Sequence, residues 1–293
     1  MAKNLLVEAL RANSKNGRFD NNASVISYKT GFPVLDYYLG YKVGIYDEND
    51  NIVEQYPCIG ITAGSFVTFV GKPSSGKTTT SVQIASNIVR PFPNGTVIHY
   101  DLEQSMNYSR IKVLSKFKIK DIEEGKYILR QEQNSIDDIY KSIMDVYFEK
   151  VNNPDKYKYD TGKKDEFGKP IILFEPTVII IDSIATMSMH INENDKSDVK
   201  KISELEGQTY KNRLAGEISQ FYTKLMPRIR TANIIVIAIN QIKTKVDMGL
   251  TKTASQILYM KQDESFDQTE AAWSDLCKKN PSNCGDISLR SNH

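Results

Sequence analysis

Short apolar runs recur along the chain at Ser65–Val70, Thr96–Asp101, Lys126–Arg130, Thr177–Asp182 and Ile234–Asn240. Between them apolar residues return every three or four positions, at Thr78–Val89, Tyr108–Phe117, Ile136–Lys150 and Leu214–Arg230. The first pattern predicts strands and the second helices. Strands alternating with helices predict an α/β fold with a mostly parallel sheet covered by helices on both faces. Runs that stay apolar throughout, such as Val178-Ile179-Ile180-Ile181, suit strands buried on both sides.

Two stretches interrupt this alternation. Residues 151–174 carry Asn-Asn-Pro, Tyr-Asp-Thr-Gly and Phe-Gly-Lys-Pro turn signals around a charged core, which predicts a surface hairpin inserted before the next core strand. Residues 190–208 are polar and contain lysines, and they follow the strand ending in Asp182; a long polar loop in that place is more often functional than filler. At the start, MAKNLLVEALRA is an amphipathic helix followed by a polar linker, so residues 1–24 stand apart from a core of residues 25–265. From Phe266 to His293 no strand-like apolar run appears.

Composition narrows the picture only a little. With 293 residues, 40% hydrophobic and 25% charged, the chain is in the ordinary globular range. Lys+Arg 38 against Asp+Glu 36 does not announce a nucleic-acid binder, although local basic runs can still serve one. The first twelve residues are broken by Lys3, Glu8 and Arg11, so they form neither a secretory core nor a membrane span, and a cytoplasmic location without membrane partners is expected. Cys58, Cys277 and Cys284 are too few and scattered for a disulfide framework, and they lack zinc-ligand spacing.

The chemistry concentrates at strand ends. Gly71-Lys72-Pro73-Ser74-Ser75-Gly76-Lys77-Thr78 is G-x-x-x-x-G-K-T between a predicted strand and a predicted helix, the setting in which a P-loop cradles a polyphosphate such as ATP. Lys77 meets the β/γ-phosphates, Thr78 holds Mg²⁺, and Thr79 joins the nucleotide-binding set at the helix start. Thr177–Asp182 ends an apolar strand in a carboxylate that can support the same Mg²⁺ through water. Val97–Asp101 leads into Leu102 and Glu103 at a strand's carboxyl end, where open α/β sheets bind ligand, so Glu103 is the candidate general base and Asp101 a structural acid. A solvated acidic turn is the plainer alternative for Glu103. Asn240-Gln241 closes the last strand with amides, and Gln241 can donate to a phosphate oxygen that hydrolysis removes.

The series Thr30–Gly40 (TGFPVLDYYLG), GKPSSGKT, YDLE, IIIDSIA and AINQIK resembles the RecA family of homologous-recombination ATPases, and within it the phage UvsX-type branch. The resemblance runs from about Thr30 to Gly249. It implies a RecA-like P-loop NTPase core and a DNA-dependent ATPase, using ATP and Mg²⁺, that pairs homologous strands in recombination and repair. Glu103, Lys77 and Gln241 would act in catalysis, and Tyr108 would stack on adenine. Residues 190–208 and the segment from Ile242 would be DNA-binding loops, with Lys196, Lys200, Lys201, Lys243 and Lys245 either on phosphates or simply solvated. The helix Met1–Ala12 resembles the segment that packs one protomer on the next in a helical filament. Implied partners are single-stranded DNA, other copies of the chain, a single-strand-binding protein and a mediator.

The family's further C-terminal strands are missing from this sequence, and residues 266–293 read as non-family sequence. A translated intron is the expectation for them, with a diverged or frameshifted end as the alternative. A DnaB-type helicase motor and a nucleotide-binding mediator without turnover are the alternative functions.

Overall fold

The computed structural model describes residues 26–47, 49–132, 135–165, 168–188 and 208–241. They form two compact units, residues 26–69 with 76–240, and residues 70–75 with 241. In chain order the elements are β1 (Ser27–Tyr28), α1 (Pro33–Leu39), a hairpin of β2 (Tyr41–Tyr46) and β3 (Ile52–Cys58), β4 (Ile61–Thr62), β5 (Phe66–Gly71), α2 (Lys77–Val89), β6 (Thr96–Asp101), α3 (Tyr108–Ser115), α4 (Ile119–Glu123) and β7 (Tyr127–Arg130). There follow α5 (Ile136–Asn152), α6 (Pro154–Tyr157), β8 (Lys158–Lys164), β9 (Pro170–Phe174), β10 (Thr177–Asp182), a 3₁₀ turn (Ile184–Thr186), α7 (Gln208–Thr231) and β11 (Ile234–Gln241).

Five strands make a parallel sheet in the order β5-β11-β10-β6-β7, flanked by helices. Of these five, β11, which comes last in the sequence, thus lies between β5 and β10, which come first and fourth. Side-chain alternation divides the core into two clusters. Val97, Val178, Ile180, Ile235 and Ile237 pack with Val82, Ile84, Ala85, Ile88 and Val89 of α2. Their neighbours Ile98, Ile179, Ile181, Ile234 and Val236 pack on Ile139 and Ile143 of α5 and Phe221, Leu225 and Ile229 of α7. Burying one such side chain contributes roughly 2 kcal/mol, so the paired clusters dominate the stability of this layer arrangement. The central three strands start level, with Thr177 opposite both Thr96 and Ile234, and this register brings Asp182 beside Asp101 at their carboxyl ends.

Polar side chains secure what the sheet does not hold. Asp36 accepts from Thr30 N and Thr30 Oγ1, each at 2.7 Å, and Asn87 Nδ2 of α2 donates to Thr30 O at 2.9 Å. Gly31 between them has φ +85°, and a Cβ there would collide with the Asn87 amide, so both conformation and space require glycine. Asn233, in the turn before β11, donates to Tyr28 Oη and Phe174 O, each at 2.6 Å, and accepts from Gly64 N at 3.2 Å. Lys150 is buried and donates to Glu175 O at 2.7 Å and Ala232 O at 3.0 Å.

Three local expectations change. The helix predicted over Tyr108–Phe117 ends at Ser115, because Lys116 takes the left-handed conformation, with φ 57°, and α4 starts separately at Ile119. The β8–β9 hairpin is not wholly a surface feature, because Ile171, Leu173 and Phe174 are buried and Tyr159 packs against the α2-side cluster. The helix α7 begins at Gln208, ahead of the periodic segment starting at Leu214. No helix among the described residues is long and apolar enough to cross a membrane. Residues 1–25 and 242–293, which include the N-terminal segment and the tail, lie outside the described residues.

Candidate functional site

Gly76 has φ 84° and immediately precedes α2, and the first intrahelical bond runs from Thr80 N to Gly76 O at 2.9 Å. A Cβ on Gly76 would meet nothing within 4 Å, so the left-handed backbone, not crowding, calls for glycine. No side chain caps this helix and no acidic residue stands in its first turn. The positive end of a thirteen-residue helix is therefore left for an anion to neutralise. Lys77 occupies its first position and Thr78 the second, followed by Thr79.

Thr78 Oγ1 donates to Asp182 Oδ2 at 2.5 Å, joining the start of α2 to the end of β10. Asp182 is 2% exposed, and the peptide bond that follows it is cis. Burial pushes its carboxyl pKa up; the Thr78 hydrogen bond opposes this, the charges of Glu103 and Asp101 add to it, and Lys77 opposes it. An acidic cluster of this kind gains from a divalent cation. The available donors, a threonine hydroxyl and a carboxylate, are hard oxygen ligands, and no group of three His, Cys, Asp or Glu side chains among the described residues forms a full metal cage. That pairing fits Mg²⁺, which keeps waters and phosphate oxygens in its shell, better than an ion needing an all-protein site.

Glu103 lies in the turn leaving β6, whose first amide, Leu102 N, donates to Asp182 O at 2.7 Å. Asp101 has both oxygens committed to the turn: Oδ1 accepts from Ser105 N at 3.1 Å and Ser105 Oγ at 3.3 Å, and Oδ2 from Met106 N and Gln131 Nε2, each at 2.8 Å. Burial raises its pKa, but Gln131, the Met106 and Ser105 amides and His99 together bring it below the ordinary value. A carboxylate so occupied is held ionised and suits a structural part.

Residues 70–75, with Gln241, belong to the second unit. Within it Ser75 N donates to Lys72 O at 3.3 Å and Ser74 is left-handed with φ 60°, so Gly71, Lys72, Pro73, Ser74 and Ser75 include a tight turn. Gln241 is the last residue of β11. Tyr108 is 55% exposed at the first position of α3, which Asn107 caps by accepting from Arg110 N at 2.9 Å. Lys196, Lys200, Lys201, Lys243 and Lys245 lie outside the described residues.

Motif reading missed Gln131 and Ser105, which brace the Glu103 turn. A usable signal existed for Gln131, since it is the first residue past a strand's carboxyl end, the edge at which such sheets place their ligands. A cavity of about 520 Å³, lined in part by Arg90, Thr96 and Lys126, opens at the amino ends of β6 and β7 and contains none of these residues. A scan against protein-family models finds no match for this chain, and a search of curated proteins finds none.

Proposed function

We propose that this chain is an ATP-dependent, single-stranded-DNA-binding recombinase with a RecA-like P-loop core. The observation that carries the nucleotide part is the hydrogen bond from Thr78 to Asp182, set beside an uncapped helix start and the turn bearing Glu103. Lys77 and the first amides of α2 would bind the β/γ-phosphates, and Thr78 and Asp182 would hold Mg²⁺, the latter through water. When bound there, Mg²⁺ would supply charge neutralisation for the phosphoryl group. Glu103 accepts the proton of the attacking water; in support, its charge acts on Asp182, the hydrogen-bond partner of Thr78. Tyr108 stacks on the adenine. Gln241 senses the γ-phosphate and passes its presence to the segment that follows.

The DNA part of the reading rests on the resemblance of residues 30–249 to the RecA family and on the lysines Lys196, Lys200, Lys201, Lys243 and Lys245. Single-stranded DNA and further copies of the chain are the partners it implies. The test is ATP hydrolysis by the full chain with and without single-stranded DNA, alongside Glu103→Gln. Turnover stimulated by DNA and lost in Glu103→Gln, with ATP binding retained, is the expected result. Turnover indifferent to DNA sinks the recombinase reading, and ATP binding without turnover in the unaltered chain points to a non-hydrolysing binder.

A further inference from the structure

We infer that Gln131 is a positioning residue for Glu103, acting through Asp101 and the turn of residues 102–106; the inference rests on the nucleotide-hydrolysing reading of the site. β7 lies beside β6 with Arg130 opposite Tyr100, so the next residue, Gln131, arrives next to Asp101. Its Nε2 donates to Asp101 Oδ2 at 2.8 Å and to Met106 O at 3.0 Å. One amide group thereby ties the last residue of β6 to the far end of the turn.

The turn is held at both ends and carries Glu103 between them. At its start Leu102 N is bonded to Asp182 O of β10, and Gln104 N closes back on Asp101 O at 3.2 Å with Gln104 left-handed at φ 51°. At its finish Ser105 N and Met106 N both donate to the Asp101 carboxylate, which Gln131 anchors from the neighbouring strand. The backbone around Glu103 therefore has few ways to move without breaking a bond to Asp101. A general base works only when its carboxylate stays within hydrogen-bond reach of the water it deprotonates, so loosening this turn acts on turnover more than on nucleotide binding.

Glutamine suits the position chemically. Its amide donates two hydrogens, one to a carboxylate and one to a carbonyl, without adding charge beside Asp182 and Glu103. A glutamate would set a second anion against Asp101. A lysine or arginine would add a cation able to draw Glu103 away. Asparagine is one methylene shorter and cannot span both acceptors from the same backbone place.

The experiment compares the full chain with Gln131→Ala and with Gln131→Met, which preserves length and volume but offers no donor. Steady-state hydrolysis and equilibrium ATP binding are measured on each, together with hydrogen exchange at the Ser105 and Met106 amides. In both variants kcat should fall tenfold or more while ATP affinity stays within threefold, and exchange at those two amides should accelerate at least tenfold. A kcat within twofold of the unaltered chain, an equal loss of affinity and kcat, or unchanged exchange at Ser105 and Met106 overturns the role assigned to Gln131. If the unaltered chain neither binds nor hydrolyses ATP, the reading of the site fails and this role with it. If it hydrolyses ATP and Gln131→Met does so equally well, the role of Gln131 alone is lost.

Discussion

Lowering the pH should destabilise this protein through His99 in particular. The ring is fully buried on β6, between Ile180 of β10 and Leu129 of β7. Nδ1 is 2.8 Å from Tyr127 Oη, and Nε2 has no hydrogen-bond partner. Burial lowers its pKa from 6.5 to about 4, with the charge of Asp101 opposing but not matching that effect. The sign follows from linkage. Above pH 6.5 the ring is neutral folded and unfolded, so it contributes no pH dependence. Between 6.5 and 4 the unfolded chain takes up a proton that the folded chain refuses, so stability falls as pH falls, and the full difference is reached below pH 4. A shift of this size corresponds to roughly 3 kcal/mol in total, of which about 2 kcal/mol is lost by pH 5. Urea unfolding at pH 8 and pH 5 should be compared for the unaltered chain and His99→Gln, which keeps an amide able to meet Tyr127 but does not titrate. Carboxylates common to both proteins cancel in the difference. The unaltered chain should lose about 2 kcal/mol more than the variant over this interval. If the two lose stability in parallel, to within about 0.5 kcal/mol, the argument that burial keeps His99 neutral is refuted.

Lys77→Ala should abolish ATP affinity and hydrolysis together in calorimetric and turnover assays, since on the proposed function it removes the charge that would face the β/γ-phosphates; retained micromolar binding would show that the helix start alone suffices. Asp182→Asn should raise the melting temperature of the nucleotide-free protein at pH 8 while erasing the extra rise given by Mg²⁺ with ATP. The folded-state pKa of Asp182 is raised by burial, so its ionised form is a cost that sets in as pH climbs above the usual aspartate value. A lower melting temperature in the variant would contradict that sign. Asn233→Ala removes the donor to Tyr28 and Phe174 and the acceptor of Gly64 N, and should cost roughly 3 kcal/mol in urea unfolding, since buried groups are left without partners; a loss under about 1 kcal/mol would mean those groups find other partners.

The pattern of the chain by itself determined the α/β layering. Thr177–Asp182 and Thr96–Asp101 are strands with the bounds their apolar runs predict, because a strand buried on both faces is apolar along most of its length. The helix read from Thr78 starts one residue earlier, at Lys77, directly after the left-handed Gly76. The hairpin β2–β3 was not legible in this way. Its loop carries no Asn-Gly or Asp-Gly turn signal, closing instead through Asp47, which accepts from Asn49 N and Asn51 N, and its second strand contains Pro57 and has one exposed stretch. The Tyr108 helix illustrates the same limit, because spacing alone does not reveal the left-handed residue at Lys116 that ends it.

Strand order was decided only in three dimensions. Nothing local tells β11 to enter between β5 and β10, or β7 to lie outside β6. Asp182 beside Asp101, Thr78 on Asp182, and Gln131 on Asp101 all follow from that order. Residues near a strand end announce by type that they can bind or catalyse, but which of them meet depends on which strands pair. Pairing is set by the burial of helix faces contributed from distant parts of the chain, so it leaves no mark on any single segment.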